Sequence, residues 1–314
     1  MDAVVEACAS CHSVVPDEWR RPDTTVTCVA MAGARSSGKS IYLGVLRQQL
    51  ALWVEETHGT HLELLGDSER HYWQRYGAPL FDEGVILGAT AEIAADPDGY
   101  RPLIFRFVDA AGRSQILVVR DVAGEDLEDL VRRRSALEFV KRADAVVALI
   151  DPLKMDRLRE SLHGIIQPGD LGGDGVEVVL QVLNLLTDDG RLPVPEGKRV
   201  AVAVSKLDIL QQIRDVEGAP LRRVMVRAGS PLQRDPSMRT AGFDRRDADL
   251  VDAEVDSLLV ELVGPKLRNL LRQKDVDHRY FAVSALGAHP EGQSLNSAGI
   301  APFRVLDPVK WILS

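Results

Sequence analysis

The chain has 314 residues, of which 45% are hydrophobic, and its formal net charge at pH 7 is −9. A chain of this length can bury a large core, as one enlarged domain or as two small ones. The acidic balance and the absence of a basic block argue against nucleic acid and anionic membrane as main partners. No apolar run reaches the length of a membrane span, and the first residues lack a secretory signature, so we expect a cytoplasmic protein.

The first 22 residues hold the run Cys8-Ala9-Ser10-Cys11-His12. Cys-x-x-Cys-His is the haem c attachment pattern, which requires export, and Cys-x-x-Cys also suits half of a tetrahedral zinc site. The sequence offers no second pair of cysteines, since Cys28 belongs to the first predicted strand. We therefore interpret residues 1–22 as a tail with two thiols, and zinc at Cys8 and Cys11 is the alternative.

Six apolar runs predict strands, and several are continuous aliphatic runs typical of strands that helices cover on both faces. The short turn Asp109–Arg113 predicts an antiparallel hairpin between the second and third strands. We predict an α/β fold with a mostly parallel six-stranded sheet and one antiparallel edge strand. The predicted strands are Val26–Met31, Leu103–Val108, Ile116–Asp121, Ala145–Ile150, Val200–Ser205 and Arg279–Ser284.

Helical patterns lie between most of these strands, and long inserts interrupt the predicted domain, residues 23–314. The helices are expected from Ser40 to Trp53, over about 127–142, from Asp249 to a stop or kink at Pro265, and over Val305–Leu313. The inserts are residues 55–100, 154–197 and 209–248. We interpret the basic, Pro- and Gly-punctuated segment Pro220–Arg246 as a solvated loop rather than a docking surface. The first and third inserts are still the expected partner surfaces, because the nucleotide site described next does not need them.

The segment Gly33–Ser40 lies where a strand turns into a helix and fits the phosphate-binding pattern G-x-x-x-x-G-K-[ST]. In such a loop the backbone N–H groups point at phosphate oxygens, and the start of the helix adds a partial positive charge. Lys39 would reach the β- and γ-phosphates, and the Ser40 hydroxyl would bind Mg²⁺. The pattern predicts a nucleotide site.

Two further strand ends carry carboxylates. Asp121 closes the third strand in an Asp-x-x-Gly pattern, where it can hold Mg²⁺, and Gly124 lets a backbone N–H approach the γ-phosphate. Asp208, in the run Ser205-Lys206-Leu207-Asp208, can accept hydrogen bonds from N1–H and the exocyclic amine of guanine, and adenine offers no such pair. After the last strand, Ser284-Ala285-Leu286 places backbone N–H groups near the guanine carbonyl. Guanine is therefore the predicted base.

These four elements together resemble the Ras-like (translation-factor class) P-loop GTPases over nearly the whole chain. The runs GARSSGKSIYLGVL, RDVAGED, ADAVVALIDPL and RVLDPVKWIL look most similar to the bacterial double-GTPase (DO-GTPase-like) group. The resemblance implies a Ras-like fold, binding of GTP or GDP with Mg²⁺, hydrolysis of GTP to GDP, and the role of a switch that recruits an unknown protein effector or regulator. The implied nucleotide-binding residues are Gly33, Ser36, Ser37, Gly38, Lys39, Ser40, Ile41, Asp121, Gly124, Ser205, Lys206, Asp208, Ser284, Ala285 and Leu286.

The chain departs from the family pattern at three positions. Ser205 replaces the usual Asn, so guanine affinity is expected to be lower. Glu125 stands where small GTPases often use Gln to orient the attacking water, and it could act as a base or repel the γ-phosphate. Arg35 replaces a common Gly, and it could stabilise transition-state charge in cis or merely face solvent. The predicted catalytic residues are Lys39, Glu125 and Arg35.

The switch threonine that completes the Mg²⁺ ligands must lie between the first helix and the second strand. Thr57, Thr60 and Thr90 qualify by position, and we choose Thr90 because it follows a glycine-marked loop close to the second strand. The predicted metal ligands are thus Ser40, Thr90 and Asp121. Two alternatives from other classes remain. A P-loop ATPase or kinase would have no use for Asp208, and a nucleotide-dependent scaffold would bind GTP without turnover.

Overall fold

A computed structural model gives the fold and describes residues 6–8, 14–88, 101–122, 138–161, 175–213 and 222–314. Within these residues, one sheet has seven strands in the order β2-β3-β4-β1-β5-β6-β7. The strands are β1 (Thr24–Gly33), β2 (Glu63–Leu64), β3 (Leu103–Val108), β4 (Ser114–Asp121), β5 (Ala145–Ile150), β6 (Arg199–Val204) and β7 (Asp277–Ala282). All six predicted strands are present, and β6 and β7 begin one and two residues earlier than predicted.

The sheet is mostly parallel, and β3 runs against its neighbours β2 and β4. The predicted hairpin between β3 and β4 is confirmed. Two details of the prediction were wrong, because the sheet has a seventh strand and the antiparallel strand is not at its edge. The edge strand next to β3 is β2, whose two residues pair with Phe105 and Arg106 of β3. Two residues are too few for the period-two pattern by which a strand is recognised.

The helices connect the strands on both faces of the sheet. They are α1 (Lys39–His58), α2 (Ser68–Tyr72, continuing as a π-helix over Trp73–Asp82), α3 (Glu138–Arg142), α4 (Asp156–Ser161), α5 (Gly175–Leu186), α6 (Leu207–Gln212), α7 (Arg222–Met225), α8 (Arg245–Val263), α9 (Lys266–Gln273) and α10 (Asp307–Ile312). Residues 127–137 of one predicted helix lie outside the described residues. The predicted break at Pro265 is confirmed, since α8 ends at Val263 with Gly264 as its C-cap, and Pro265 precedes the first residue of α9.

Side chains of β1 alternate between the two apolar layers that enclose the sheet. Val29 and Met31 pack with α1, α2 and α10, whereas Ala30 and Ala32 face the layer formed by α3, α5, α8 and α9. All four side chains are buried. This double coverage explains why the central strands are continuous aliphatic runs.

The interpretation of Pro220–Arg246 as a solvated loop was wrong for a large part of that segment. Met225 and Leu232 are buried in the layer that contains α8. The buried Ser230 donates a hydrogen bond of 2.7 Å from Oγ to Glu254 of α8, and Arg227 forms an ion pair with the same carboxylate. The local composition is basic and rich in turn residues, and it gives no sign of these contacts with a helix further along the chain.

The described part of the predicted N-terminal tail includes a 3₁₀ turn, Asp17–Arg20. Trp19 in this turn packs against Ile104, Ile116 and Val118 on the sheet. None of the helices in the described part of the chain combines the length and the hydropathy that crossing a membrane requires.

Candidate nucleotide-binding site

The predicted site residues come from loops at the carboxyl ends of neighbouring parallel strands. The loop Gly33–Ser40 follows β1, Asp121 is the last residue of β4, Lys206 and Asp208 follow β6, and Ser284 follows β7. The strands β4, β1, β5, β6 and β7 are adjacent and parallel. Their carboxyl ends therefore lie side by side along one edge of the sheet, the edge formed by strand ends rather than by an edge strand. Open α/β sheets bind their ligands at this edge.

The phosphate-binding loop curls through two residues with left-handed backbone angles. Ser36 has φ of 58° and Gly38 has φ of 92°. Gly38 is needed for this angle rather than for space, because no atom lies within 4 Å of a Cβ built there. Helix α1 begins directly after Gly38, and no side chain caps its N-terminus. The first N–H groups of the helix and its partial positive charge therefore suit a phosphate.

Three lysines donate hydrogen bonds to backbone carbonyls of this loop. The buried Lys39 reaches the carbonyl oxygens of residues 33 and 34 from Nζ, at 2.8 and 3.2 Å. Lys206 Nζ lies 3.1 Å from the Ser36 oxygen, and Lys154 Nζ lies 2.6 Å from the Arg35 oxygen. Four consecutive carbonyls, from residue 33 to residue 36, are thus held by cations.

Ser40 and Asp121 meet as the motif predicted. Ser40 Oγ donates a hydrogen bond of 3.0 Å to Asp121 Oδ2, and the carboxylate is only 3% exposed. A hydroxyl next to a carboxylate is the hard oxygen pair that Mg²⁺ prefers. These two residues fit the ion that the fold class implies.

Asp208 lies in the first turn of α6 and is buried. Ser284 Oγ donates a hydrogen bond to Asp208 Oδ1 and accepts one of 2.8 Å from the N–H of Gly287. Burial raises the pKa of Asp208 above its ordinary value, and the Ser284 hydroxyl opposes part of this rise. Burial also lowers the pKa of His289, whose charge would favour the ionised form of Asp208. The site thus holds one carboxylate in a desolvated place where a base could pair with it.

The structure gives other contacts for several predicted residues. The Ser205 hydroxyl donates to the Ile150 carbonyl at 3.2 Å, so it joins β6 to β5. The Leu286 carbonyl accepts a hydrogen bond from the N–H of Ala301, which fixes the loop after β7. Arg35 is exposed at the tip of the phosphate-binding loop. The roles of these residues toward a nucleotide stay predictions, as do those of Ser37, Ile41 and Ala285.

Other predicted residues lie outside the described residues, namely Thr90, Gly124, Glu125, Cys11 and His12. The switch threonine, the catalytic Glu and the half zinc site therefore stay predictions. Among the residues that the structure describes, no group of three or more His, Cys, Asp or Glu side chains could hold a metal ion.

The sequence analysis missed two residues that follow β5. Asp151 is 2% exposed and forms an ion pair with Lys206, with Oδ2 and Nζ 2.6 Å apart, and Lys154 is the third lysine on the phosphate-binding loop. The signal was present, because both residues stand at the carboxyl end of a predicted parallel strand. A strand-end rule applied to every strand would have found them.

The strand order, the phosphate-binding loop between β1 and α1, and the carboxylates after β4 and β6 define a Ras-like P-loop fold. No family profile matches the chain. The chain is 35% identical over 317 residues to the proposed ESX-1 scaffolding and assembly protein SaeC of Mycolicibacterium smegmatis, and the match covers 99% of this chain and 80% of that protein. The chain belongs to the family of that protein.

Solved structures of low similarity include two GTPase-fold proteins. The septin GTPase domain from Chlamydomonas reinhardtii has 12% identity and a TM-score of 0.37, over 92% of this chain and 91% of that one. The signal recognition particle receptor SRb-GTP/SRX complex from Chaetomium thermophilum has 16% identity and a TM-score of 0.37, over 86% of this chain and 95% of that one. Because both scores are low, the fold is assigned from the strand order and the loop themselves.

Proposed function

We propose that this protein binds guanine nucleotide with Mg²⁺ at the edge of the sheet, hydrolyses GTP slowly, and acts as a molecular switch. One observation carries the proposal. Lys39, the Ser40–Asp121 pair and Asp208 come from three separate segments and lie along the same edge, next to an uncapped helix N-terminus. A phosphate chain, a metal ion and a base can be held there together.

The choice of guanine rests on Asp208. A buried carboxylate that accepts hydrogen bonds from two donors of the base recovers the cost of its desolvation, whereas adenine offers no such pair of donors. The raised pKa of Asp208 reports this desolvation. If the protein were instead a P-loop ATPase or kinase, this carboxylate would have no role in binding the base.

Mg²⁺ would supply a positive charge for the phosphate oxygens, and Ser40 and Asp121 would hold it, with Thr90 as the proposed third ligand. Lys39 binds the β- and γ-phosphates in this proposal. Glu125 would orient the attacking water, and Arg35 would stabilise negative charge. Glu in place of the usual Gln is the reason to expect slow turnover.

A second candidate is a nucleotide-dependent scaffold that does not turn over GTP. It is favoured by the name of the relative, which describes a scaffolding and assembly protein. In both versions the inserts 55–100 and 209–248 are the proposed partner surfaces, and the partner is a protein. Membership of the bacterial double-GTPase group remains part of the proposal.

The test is calorimetric titration with GTP, GDP and ATP, with and without magnesium, on the wild type and on Asp208→Ala. We expect GDP and GTP to bind and ATP to fail, and we expect the substitution to abolish the preference. Asp252→Ala is the matched control, because burial also raises the pKa of Asp252, which accepts a hydrogen bond from the N–H of Tyr280 in β7. Binding of ATP in preference to GDP would refute the assignment.

Phosphate release at saturating GTP separates the two candidates. Measurable release that Arg35→Ala or Glu125→Ala reduces supports the switch with catalysis. Tight binding without release supports the scaffold.

A further inference from the structure

The turn Asp151–Lys154 follows strand β5 and contacts the phosphate-binding loop. Asp151 directly follows the last residue of β5 and caps a short 3₁₀ turn, Pro152–Lys154, since its Oδ1 accepts a hydrogen bond of 2.9 Å from the N–H of Leu153. Asp151 and Leu153 are buried, so the turn is fixed to the core. Because the turn is fixed, the groups that its side chains bind are also held in a defined position.

The turn reaches the phosphate-binding loop in two ways. Directly, Lys154 Nζ lies 2.6 Å from the carbonyl oxygen of Arg35. Indirectly, Asp151 Oδ2 lies 2.6 Å from Lys206 Nζ, and the same ammonium lies 3.1 Å from the Ser36 oxygen. The carbonyls of two adjacent residues are therefore held from one turn.

Holding the carbonyl of Arg35 also sets the direction of an N–H group. A trans peptide unit is planar, and its C=O and N–H groups point in opposite directions. Because the Arg35 carbonyl points at Lys154, the N–H of Ser36 points away from Lys154. The left-handed φ of Ser36, 58°, is an unfavourable angle for a residue with a Cβ, so this stretch of backbone needs outside support.

We propose that Asp151 and Lys154 are positioning residues of the nucleotide site, and that they hold the backbone between Arg35 and Ser36 in the orientation that binds a phosphate group. The inference rests on the proposed function, and it assigns the turn after β5 a task beyond connecting the strand to α4. Lys154 acts through the loop backbone and does not itself have to touch the ligand.

The experiment measures GDP affinity for Lys154→Met, Lys154→Arg and Asp151→Asn in the full chain. We expect Lys154→Met to bind GDP about tenfold more weakly, because one charge-assisted hydrogen bond to the loop is lost. Lys154→Arg should recover most of the affinity. Asp151→Asn keeps an acceptor for the N–H of Leu153 and removes the charge that holds Lys206, and a loss of several-fold is expected.

Lys198→Met is the matched control. Lys198 Nζ also donates to a backbone carbonyl, that of Lys141, at 3.0 Å, but it does so outside the phosphate-binding loop. The melting temperature of the nucleotide-free protein is measured for every variant. A merely structural role would lower the melting temperature of Lys154→Met together with its affinity, whereas a positioning role lowers the affinity alone.

Hydrogen exchange of the nucleotide-free protein supplies a readout that needs no ligand. We expect Lys154→Met to raise the exchange rate of the amides around Ser36 and to leave those of α8 unchanged. Unchanged exchange, or a loss of affinity equal to that of Lys198→Met, would overturn the proposal. If the wild type does not bind GDP, the proposed function is refuted. The exchange rates would then still decide whether the turn holds the loop.

Discussion

In the candidate nucleotide site and in a second cluster of charges, backbone carbonyls accept hydrogen bonds from cations, and in the second cluster a buried guanidinium also faces two carboxylates. The second cluster, called here the Arg304 cluster, consists of Asp247, Arg304, Asp307 and Lys310. Its central guanidinium is fully buried and lies 2.7 Å from Asp247 Oδ2 and 2.6 Å from Asp307 Oδ2. Arg304 also donates to the Pro231 carbonyl at 2.9 Å.

The Arg304 cluster joins three parts of the chain that are distant in sequence. Arg304 binds the turn at Pro231, the first part of α8 and the start of α10. Lys310 of α10 donates to the carbonyls of Ser237 and Thr240. The cluster therefore holds the third insert against the C-terminal helix, and its charges are matched within the protein.

In the nucleotide site the bonds described for Lys39 and Lys154 go to neutral carbonyls of one loop. Such bonds orient the backbone of the loop. The guanidinium of Arg304, held by two carboxylates, thus joins distant parts of the fold, whereas Lys39 and Lys154 hold the backbone of one loop next to a helix N-terminus.

The largest effect on stability is expected for Arg304→Met. This substitution leaves Asp247 and Asp307 buried without their guanidinium, so the free energy of unfolding should fall by about 3 kcal/mol. Urea denaturation measures the change. Arg113→Met is the control, since the Arg113 side chain is 70% exposed where it pairs with Asp109, and its loss should cost no more than about 0.5 kcal/mol. Equal losses for the two variants would show that the Arg304 cluster has no special role.

Asp208→Asn should change both the affinity for GDP and the pH dependence of the free energy of unfolding. The amide places a donor where guanine also offers donors, so we expect GDP affinity to fall roughly 100-fold. Because the pKa of Asp208 is raised above 3.8, the folded state holds more protons than the unfolded state in the window just above 3.8. The free energy of unfolding of the wild type should therefore fall as pH rises through that window, and the variant should lack this fall. Calorimetry and denaturation at several pH values check both parts, and a variant that keeps its GDP affinity would contradict the assignment of the base pocket.

Lys310 makes the Arg304 cluster sensitive to alkaline pH. Burial lowers the pKa of Lys310 from 10.5 to about 8, so between these values the unfolded state holds more protons. The free energy of unfolding should rise by on the order of 3 kcal/mol as pH increases across that window. Burial raises the pKa of Asp307 from 3.8 to about 6, although the nearby Arg304 opposes part of this rise. The free energy of unfolding should therefore fall as pH rises from 3.8 to about 6. In Lys310→Met the alkaline rise should be absent, and a variant that retains it would assign the effect to another group.

The smallest effect is expected at Trp53, at the border of the Arg304 cluster. Trp53 Nε1 donates to the Thr240 carbonyl at 2.9 Å, and the Lys310 ammonium lies 5.1 Å from the centre of its ring. Trp53→Phe keeps a ring but loses the N–H, so the free energy of unfolding should fall by about 1 kcal/mol, measured in urea. GDP affinity should stay within about twofold of the wild type, and a larger change would mean that the two regions are coupled.

Local patterns in the sequence were sufficient for six of the seven strands in the described residues and for the main motifs. Buried parallel strands must be aliphatic on both faces, and a phosphate-binding loop must join a strand to a helix, so β1, its loop and α1 could be recognised from a short stretch of residues. The pairing of Ser40 with Asp121 follows from the same reasoning, since Ser40 begins the helix after β1 and Asp121 ends the neighbouring strand β4. The position of the candidate site could thus be predicted from the sequence alone.

The tertiary structure decided how the separate segments meet. The contact of Lys154 with the phosphate-binding loop spans 119 residues of sequence, and Arg304 binds the Pro231 carbonyl across 73 residues. No local period encodes such pairs, because they depend on which strands become neighbours and on which insert folds back onto a helix. The burial of Leu232 was missed for the same physical reason, whereas β2 was missed because two residues are too few for a recognisable strand pattern.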